Sequence, residues 1–267
     1  MEILTTRTAL PAVKAVLFDF DGTLSTLRYG WEEIMRPMMN EFICDSKDSQ
    51  VDDEVVAYID KSTGIQTIFQ MEWLCQRVKE YRTAAALPMP NQALDSWGYK
   101  EEYLQRLMAL VGQRRKDVHE NVVRPERYHI KGSQPFLNML HSKGIKIYLA
   151  SGTDDADVKC EAQLLGFAHY FTDIKGAGTR SRLCGKEAVL KALLEHLDAD
   201  TLAVFGDGKV EIELGKQMGA RTIGVASNEA QGHGVDLAKR DRLIQAGADV
   251  LIGDFSDVEA VSRFLGL

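Results

Sequence analysis

The chain has 267 residues, 27% charged and 45% hydrophobic, which fits an ordinary globular protein built as one large domain or as a core carrying an inserted module. Its 39 acidic residues against 32 basic ones leave a net charge of −7. With no basic excess to neutralise a nucleic-acid backbone, nucleic acid is excluded as an expected partner. No apolar run approaches a membrane-spanning length, and the start Met1-Glu2-Ile3-Leu4 carries no cleavable signal pattern. The four cysteines, Cys44, Cys75, Cys160 and Cys184, lie far apart without paired spacing, and the six histidines form no metal-binding motif. The expectation is a reduced, cytoplasmic protein with no membrane partner, disulfide framework or zinc site.

In chain order, the first element is the apolar run that ends in Val16-Leu17-Phe18 and is cut off by Asp19-Phe20-Asp21-Gly22-Thr23. A run of this length and composition predicts a strand buried on both faces. Gly22 allows a sharp turn where the strand stops. Ligands of parallel α/β sheets gather beyond the carboxyl ends of the strands, where Asp19 and Asp21 would stand. Two such carboxylates repel one another and are costly to desolvate unless a cation joins them.

From Trp31 to about Asn121 the periodicity is helical. Trp31, Ile34, Met35, Met38, Met39 and Phe42 define a first helix, followed by helices over 53–59, 65–81 and 99–118, with Ser62-Thr63-Gly64 as a break and Pro88-Met89-Pro90 as a loop. Strands and helices then alternate. A helix over 133–142 ends at Gly144, a strand covers 145–151, and a helix runs to Leu165. A strand near 170–174 and a loop from Gly176 to Gly185 precede a helix over 186–197. A strand over 202–205, a helix over 210–218 and strands over 221–226 and 248–252 follow. The pattern Ser256-Asp257-Val258-Glu259 reads as a capping box opening the last helix. This alternation predicts a doubly wound parallel sheet, residues 1–26 plus 122–267, interrupted by an α-helical cap over 27–121.

Four strand ends carry polar signals: Asp19 and Asp21; Ser151-Gly152-Thr153, beside a helix start suited to an anion; Lys186, a cation at a helix N-terminus that runs against the helix dipole; and Asp207 with Glu211, straddling a strand-to-helix turn. Taken singly, the last three are open to blander readings as caps or solvated charges.

Together, in this order and separation, the four resemble the motif layout of the haloacid dehalogenase superfamily, and Val16-Leu17-Phe18-Asp19-Phe20-Asp21-Gly22-Thr23 resembles its first motif. Within that superfamily the chain most resembles the phosphoglycolate phosphatase and β-phosphoglucomutase-like branch, which implies a Rossmann-like core and an inserted helical cap. The resemblance implies a Mg²⁺-dependent phosphatase in which Asp19 is the nucleophile that forms an aspartyl-phosphate and Asp21 the general acid and base. It places Asp19, Asp21 (through its backbone carbonyl), Asp207 and Glu211 at the metal, and Thr23, Ser151, Gly152 and Lys186 at the phosphate. Glu211 stands where relatives usually carry Asp, and its longer side chain leaves a metal-bound water as the alternative to direct ligation.

In the cap, Thr63, Gln66, Gln70 and Arg77 are spaced to share one helix face. That stripe is either the solvated side of a bundle or, with Arg180 and Arg182 of the Gly-bounded loop, the set of groups that meets the rest of a substrate. The expected partner is a small phosphorylated metabolite, of the phosphoglycolate or sugar phosphate type, with the chain a monomer or homodimer. A sugar phosphomutase on the same core is one alternative, and a catalytically silent binding or regulatory protein is another.

Overall fold

The computed structural model describes all residues except 6–10, 46–47, 91–93, 179 and 181–184. Arg182 and Cys184 therefore lie outside the described residues. The chain folds into two compact units, one of residues 1–29 with 115–267 and one of residues 30–114.

The first unit is built on a seven-stranded sheet in the order β1-β7-β6-β5-β2-β3-β4. The strands are β1 (Glu2–Ile3), β2 (Ala15–Phe18), β3 (Lys146–Asp154), β4 (Asp173–Ala177), β5 (Leu202–Gly206), β6 (Arg221–Val225) and β7 (Val250–Ile252). All neighbours run parallel except β1, an antiparallel edge strand on β7. Successive β2 side chains point to opposite faces. Ala15 and Leu17 pack with Leu190, Leu202 and Val204. Phe18 stacks on Phe205 at 4.6 Å and meets Phe136 and Phe255, each at 6.2 Å. Both faces are thus covered, which is why the run is apolar throughout rather than alternating.

The order matters for the site. From β2 the chain winds outward through β3 and β4, then returns to β5, β6 and β7 on the other side. The reversal falls at β2, so the crevice beyond its carboxyl end, flanked by β3 and β5, is where an open α/β sheet binds ligands. The crossovers are carried by α5 (Ser133–Ser142) before β3, α6 (Asp155–Leu164), α7 (Gly185–Leu194), α8 (Lys209–Gln217) and α9 (Leu237–Gln245), and α10 (Val258–Leu265) closes the chain.

Several expectations shift. β3 runs on through Ser151 to Asp154, with a register break against β4 between Ala150 and Asp154. The strand expected near 170–174 starts at Asp173, because residues 168–170 form a 3₁₀ turn. The last helix is capped by Asp257, whose side chain accepts from the Ala260 N–H at 3.0 Å, so the cap is one residue later than the Ser256 capping box. α9 and the edge strand β1 have no counterpart in the sequence reading.

The second unit is helical: α1 (Trp31–Cys44), α2 (Ser49–Lys61), α3 (Thr67–Ala84) and the greater part of α4 (Ser96–His119), which runs on into the first unit at Arg115. Met35, Met38, Met39 and Ile43 of α1, Val51, Val55 and Ile59 of α2, and Ile68, Met71, Leu74 and Val78 of α3 are buried, each set at helical spacing. Asp48 caps α2 through its carboxylate, accepting from Gln50 and Val51. Among the described residues, no helix is long and apolar enough to cross a membrane.

Candidate active site

The turn after β2 is tightly bonded. The Asp19 N–H donates to the Phe205 carbonyl at 2.9 Å, which fixes it beside β5, and the Leu24 and Ser25 N–H groups return to the Phe20 carbonyl. Gly22 takes φ +75°, and a Cβ there would lie 2.1 Å from Asp207 Oδ2. Glycine is thus required twice over, for the backbone conformation and for the approach of the β5-end carboxylate.

Asp19, Asp21 and Asp207 come together at this strand end. Burial pushes the Asp19 carboxyl up to about 6, and the charges of Asp207 and Asp21 push the same way, against the opposing pull of the Lys186 ammonium. Asp21 is likewise raised to about 6 by burial, with Arg28 opposing and the charges of Glu161 and Asp207 reinforcing. Lys186 Nζ lies 2.9 Å from Asp19 Oδ1 and also donates to Glu211. Its position at the first turn of α7 is explained by these two carboxylates.

β3 supplies the second wall. Thr153 Oγ1 donates to Asp21 Oδ2 at 2.9 Å, Ser151 Oγ reaches the same oxygen at 3.4 Å, and the Thr153 N–H donates to Ser151 Oγ at 3.0 Å. Gly152 lies between them on the strand extension. Behind Asp21 is Arg28. It forms a bidentate pair with the fully buried Glu161 at 2.7 and 3.0 Å, and its Nε stands 4.0 Å from Asp21 Oδ1. Arg115 and Asp157 extend this ion cluster, joined by a 3.1 Å hydrogen bond. On the other side Lys239 Nζ donates to Asp207 Oδ2 and Glu229 Oε1, both at 2.6 Å. Burial raises the Glu229 carboxyl to about 7 and would lower Lys239, yet the charges of Asp207 and Glu229 leave Lys239 raised. The two upward shifts are compatible, because one ammonium serves two carboxylates.

The remaining expected residues are placed differently from one another, and Glu211 joins the group through the Lys186 ammonium that it shares with Asp19. Glu211, expected at a metal, lies against Lys186: its Oε1 accepts from that ammonium, while Oε2 is buried without a hydrogen-bond partner among the described residues. The Thr23 hydroxyl is fully buried and likewise without a hydrogen bond among the described residues. Arg180 is exposed, in the loop between β4 and α7, with φ +48°.

In the helical unit the polar stripe is not one helix face, and its first three residues are not solvated. Gly64 at φ +90° breaks the chain, α3 begins at Thr67, and Gln66 is its N-cap, so Thr63 belongs to the turn before it. Thr63, Gln66 and Gln70 are 7%, 5% and 4% exposed, which overturns the solvated-face reading. Thr63 Oγ1 donates to the Ile59 carbonyl and Gln70 Nε2 to Ser62 Oγ, both at 3.1 Å. Arg77 pairs with Glu54.

The sequence reading misses Thr153 as an Asp21 ligand, and also Arg28, Glu161, Lys239, Glu229 and Ser227, whose Oγ accepts from Lys239 Nζ at 3.3 Å. One signal was legible. Glu161 occupies a core position on the stripe Val158, Ala162, Leu165, and a charge there demands a buried partner.

The donor set fits a hard divalent cation. Asp19, Asp21 and Asp207 offer only oxygen, their charges disfavour one another, and Asp21 Oδ1 is buried without a hydrogen-bond partner. Among the described residues, no group of three or more His, Cys, Asp and Glu side chains is already drawn together as a metal cage. Instead, lysine ammonium groups lie on Asp19 and Asp207.

Solved structures with this fold include a predicted phosphoglycolate phosphatase from Haemophilus somnus, 15% identical with a TM-score of 0.61, the match covering 95% of this chain and 100% of that one. A β-phosphoglucomutase from Clostridium difficile is 14% identical with a TM-score of 0.62, covering 95% and 97%. A predicted phosphatase from Clostridium acetobutylicum is 18% identical with a TM-score of 0.60, covering 96% and 100%. No curated protein sequence matches the chain. The family profile of haloacid dehalogenase-like hydrolases matches residues 13–219, a span that holds Asp19, Asp21, Ser151, Lys186, Asp207 and Glu211, and the chain belongs to that family.

Proposed function

We propose that this chain is a Mg²⁺-dependent phosphatase acting on a small phosphorylated metabolite. The observation that carries the reading is the pair Asp19 and Asp21 at the switch point of the sheet, one held by Lys186 and the other by Thr153. Phosphoryl transfer asks for an in-line nucleophile, neutralisation of the phosphoryl oxygens and a proton for the leaving oxygen. Asp19 attacks phosphorus and forms an aspartyl-phosphate as the ester bond to the leaving alcohol breaks. Asp21 gives its proton to the departing alkoxide. With its carboxyl raised to about 6, a fraction carries a proton near neutral pH. Asp21 then takes a proton from water, which hydrolyses the acyl-phosphate and restores Asp19.

Ser151 and the backbone about Gly152 are assigned to the phosphoryl oxygens. Lys186, held by Glu211, lowers the repulsion between nucleophile and substrate. Asp19, Asp207 and the Asp21 carbonyl are the residues that would hold Mg²⁺, which when bound neutralises charge on the phosphoryl group. Selectivity for the leaving group is assigned to the helical unit, with Gln66 as the first candidate, since the core groups address only the phosphate.

The test is a panel of phosphorylated sugars, phosphoglycolate and nucleotides with released phosphate as the readout, run with Mg²⁺ and with excess chelator. Turnover that needs Mg²⁺ is expected. Full activity in chelator would overturn the metal assignment, and interconversion of sugar phosphates without phosphate release would point to a phosphomutase on the same core.

A further inference from the structure

We propose that Lys239 is a built-in counter-cation of the strand-end carboxylates, and that it sets the chain's affinity for divalent metal by competing for Asp207, with Glu229 receiving the ammonium when the metal takes Asp207. The inference rests on the assignment of Asp207 to the metal made above.

Three observations carry it. First, the lysine is placed against its helix. It stands in the first turn of α9, where its own N–H donates to the capping Asp236 side chain at 2.9 Å, and a cation there opposes the helix dipole. Carboxylate partners offset that cost. Second, its bonding is saturated. An ammonium has three N–H donors, and Lys239 Nζ meets Asp207 Oδ2 and Glu229 Oε1 at 2.6 Å and Ser227 Oγ at 3.3 Å. Third, the ammonium lies where a metal on Asp207 would compete with it. A Cβ at Gly22 would be 3.0 Å from Lys239 Nζ and 2.1 Å from Asp207 Oδ2, while Ser227 donates to the Gly22 carbonyl. Lys239 is therefore packed beneath the turn that carries Asp21.

Lys186 already serves Asp19 and Glu211, so the site holds a second lysine that phosphate neutralisation does not require. A dication that took Asp207 Oδ2 would displace one of the three bonds of Lys239 and leave two, to Glu229 and Ser227. Glu229 is nearly buried and makes no other hydrogen bond that the structure describes, so it can hold the whole charge without a rearrangement of α9.

The test is calorimetric titration of Mg²⁺ alone into the full chain stripped of metal by chelator and dialysis. Lys239→Met should bind Mg²⁺ at least about tenfold more tightly than wild type, as expected for loss of one buried competing charge. Glu229→Gln should bind severalfold more weakly, and that loss should largely vanish in the Lys239→Met background, because the receiving carboxylate matters only while the lysine is present. The increase in Tm at saturating Mg²⁺ should be larger in Lys239→Met than in wild type. Should Lys239→Met fail to fold, Lys239→Gln keeps two donors without the charge, and the same tightening is expected. Unchanged or weaker Mg²⁺ binding in the folded Lys239 variants overturns the proposal. Asp207→Asn separates the two readings: Mg²⁺ binding undiminished by it sinks the Asp207 assignment, whereas binding lost with Asp207→Asn but not tightened in the Lys239 variants sinks the competition alone.

Discussion

The helical unit and the strand-end site of the α/β unit bury charge in opposite ways. In the helical unit Arg82 is 1% exposed, and its guanidinium donates to the Phe42 carbonyl at 2.8 Å, the Pro88 carbonyl at 2.7 Å and both Asp45 oxygens. Its charge is matched, and three separate stretches of chain are tied together by it. In the α/β unit Asp19, Asp21, Asp207, Glu211 and Glu229 crowd together, and among the described residues only Lys186 and Lys239 donate to them as cations at hydrogen-bond distance, with Arg28 4.0 Å from Asp21. Asp21 Oδ1 and Glu211 Oε2 are buried without hydrogen bonds among the described residues. A matched buried charge holds a structure together, whereas a surplus of one sign is costly and persists where a ligand completes it. The difference separates the scaffold arginine from the reaction site without reference to any relative.

The largest effect should come from the surplus side. Asp19→Asn removes the proposed nucleophile and one negative charge while keeping the side chain's shape, so turnover should fall by about three powers of ten or more with the Tm held or raised. Steady-state phosphate release alongside thermal unfolding checks both halves, and a variant that keeps more than about a hundredth of the wild-type rate would point to another nucleophile. On the matched side the signs reverse. Arg82→Met keeps the aliphatic stem but leaves the Phe42 and Pro88 carbonyls without their donor, at a cost of about 2–4 kcal/mol. Unfolding should shift down by several degrees, while the rate on a generic aryl phosphate stays near wild type. A loss of rate without a loss of Tm would show that this arginine is not a scaffold residue.

The same contrast explains what could be read from the sequence. The first motif was legible because burial on both faces of β2 forces an uninterrupted apolar run, and Asp19 and Asp21 interrupt it at the strand end. Helix α1 falls on Trp31–Cys44 because its methionine stripe repeats at helical spacing. α9 was missed for the opposite reason. Only Leu243 of its nine residues is buried, so the stretch Lys239-Arg240-Asp241-Arg242 reads as solvated charge, and nothing local reveals that Lys239 turns inward. Arg28 was equally silent, since its partner Glu161 is 133 residues away. The glutamine stripe misleads because its periodicity spans Gly64, where the backbone leaves the helical conformation.

Asp21 gives a middle-sized test in which surplus charge appears as lost stability. Its carboxyl rises from 3.8 to about 6 on folding, so the folded chain binds the proton more tightly than the unfolded one. Stability therefore falls as pH rises from about 4 to 6, and the full penalty is present at pH 7.5. The shift corresponds to at most about 3 kcal/mol, less what the lost attraction to Arg28 returns. In chelator at pH 7.5, Asp21→Asn should raise Tm by roughly 2–6 °C, with the gain gone at pH 4. A gain that does not depend on pH would mean that the carboxylate is not strained by its surroundings.

The smallest effect belongs to Gln70, where the contrast is closest to failing. It is 4% exposed and polar, as a specificity residue would be, yet its Nε2 donates to Ser62 Oγ, and Ser62 in turn donates to the Ile59 carbonyl at 3.3 Å. That chain of bonds ties the start of α3 to the end of α2 across the Gly64 turn, which is the matched pattern of Arg82 on a smaller scale. A neutral hydrogen bond of this kind contributes about 1 kcal/mol, so Gln70→Ala should lower Tm by roughly 2–4 °C. The ratio of kcat/KM between the preferred substrate and an aryl phosphate should stay within about twofold of wild type. A contact to the leaving group gives the reverse result: loss of a buried partner that meets only the preferred substrate would change that ratio by roughly tenfold, with Tm nearly unmoved. Measuring both quantities on Gln70→Ala and Gln66→Ala side by side therefore assigns each glutamine to the scaffold or to recognition, and a large ratio change in Gln70→Ala would show that a matched buried polar group is no guide to a structural role in this unit.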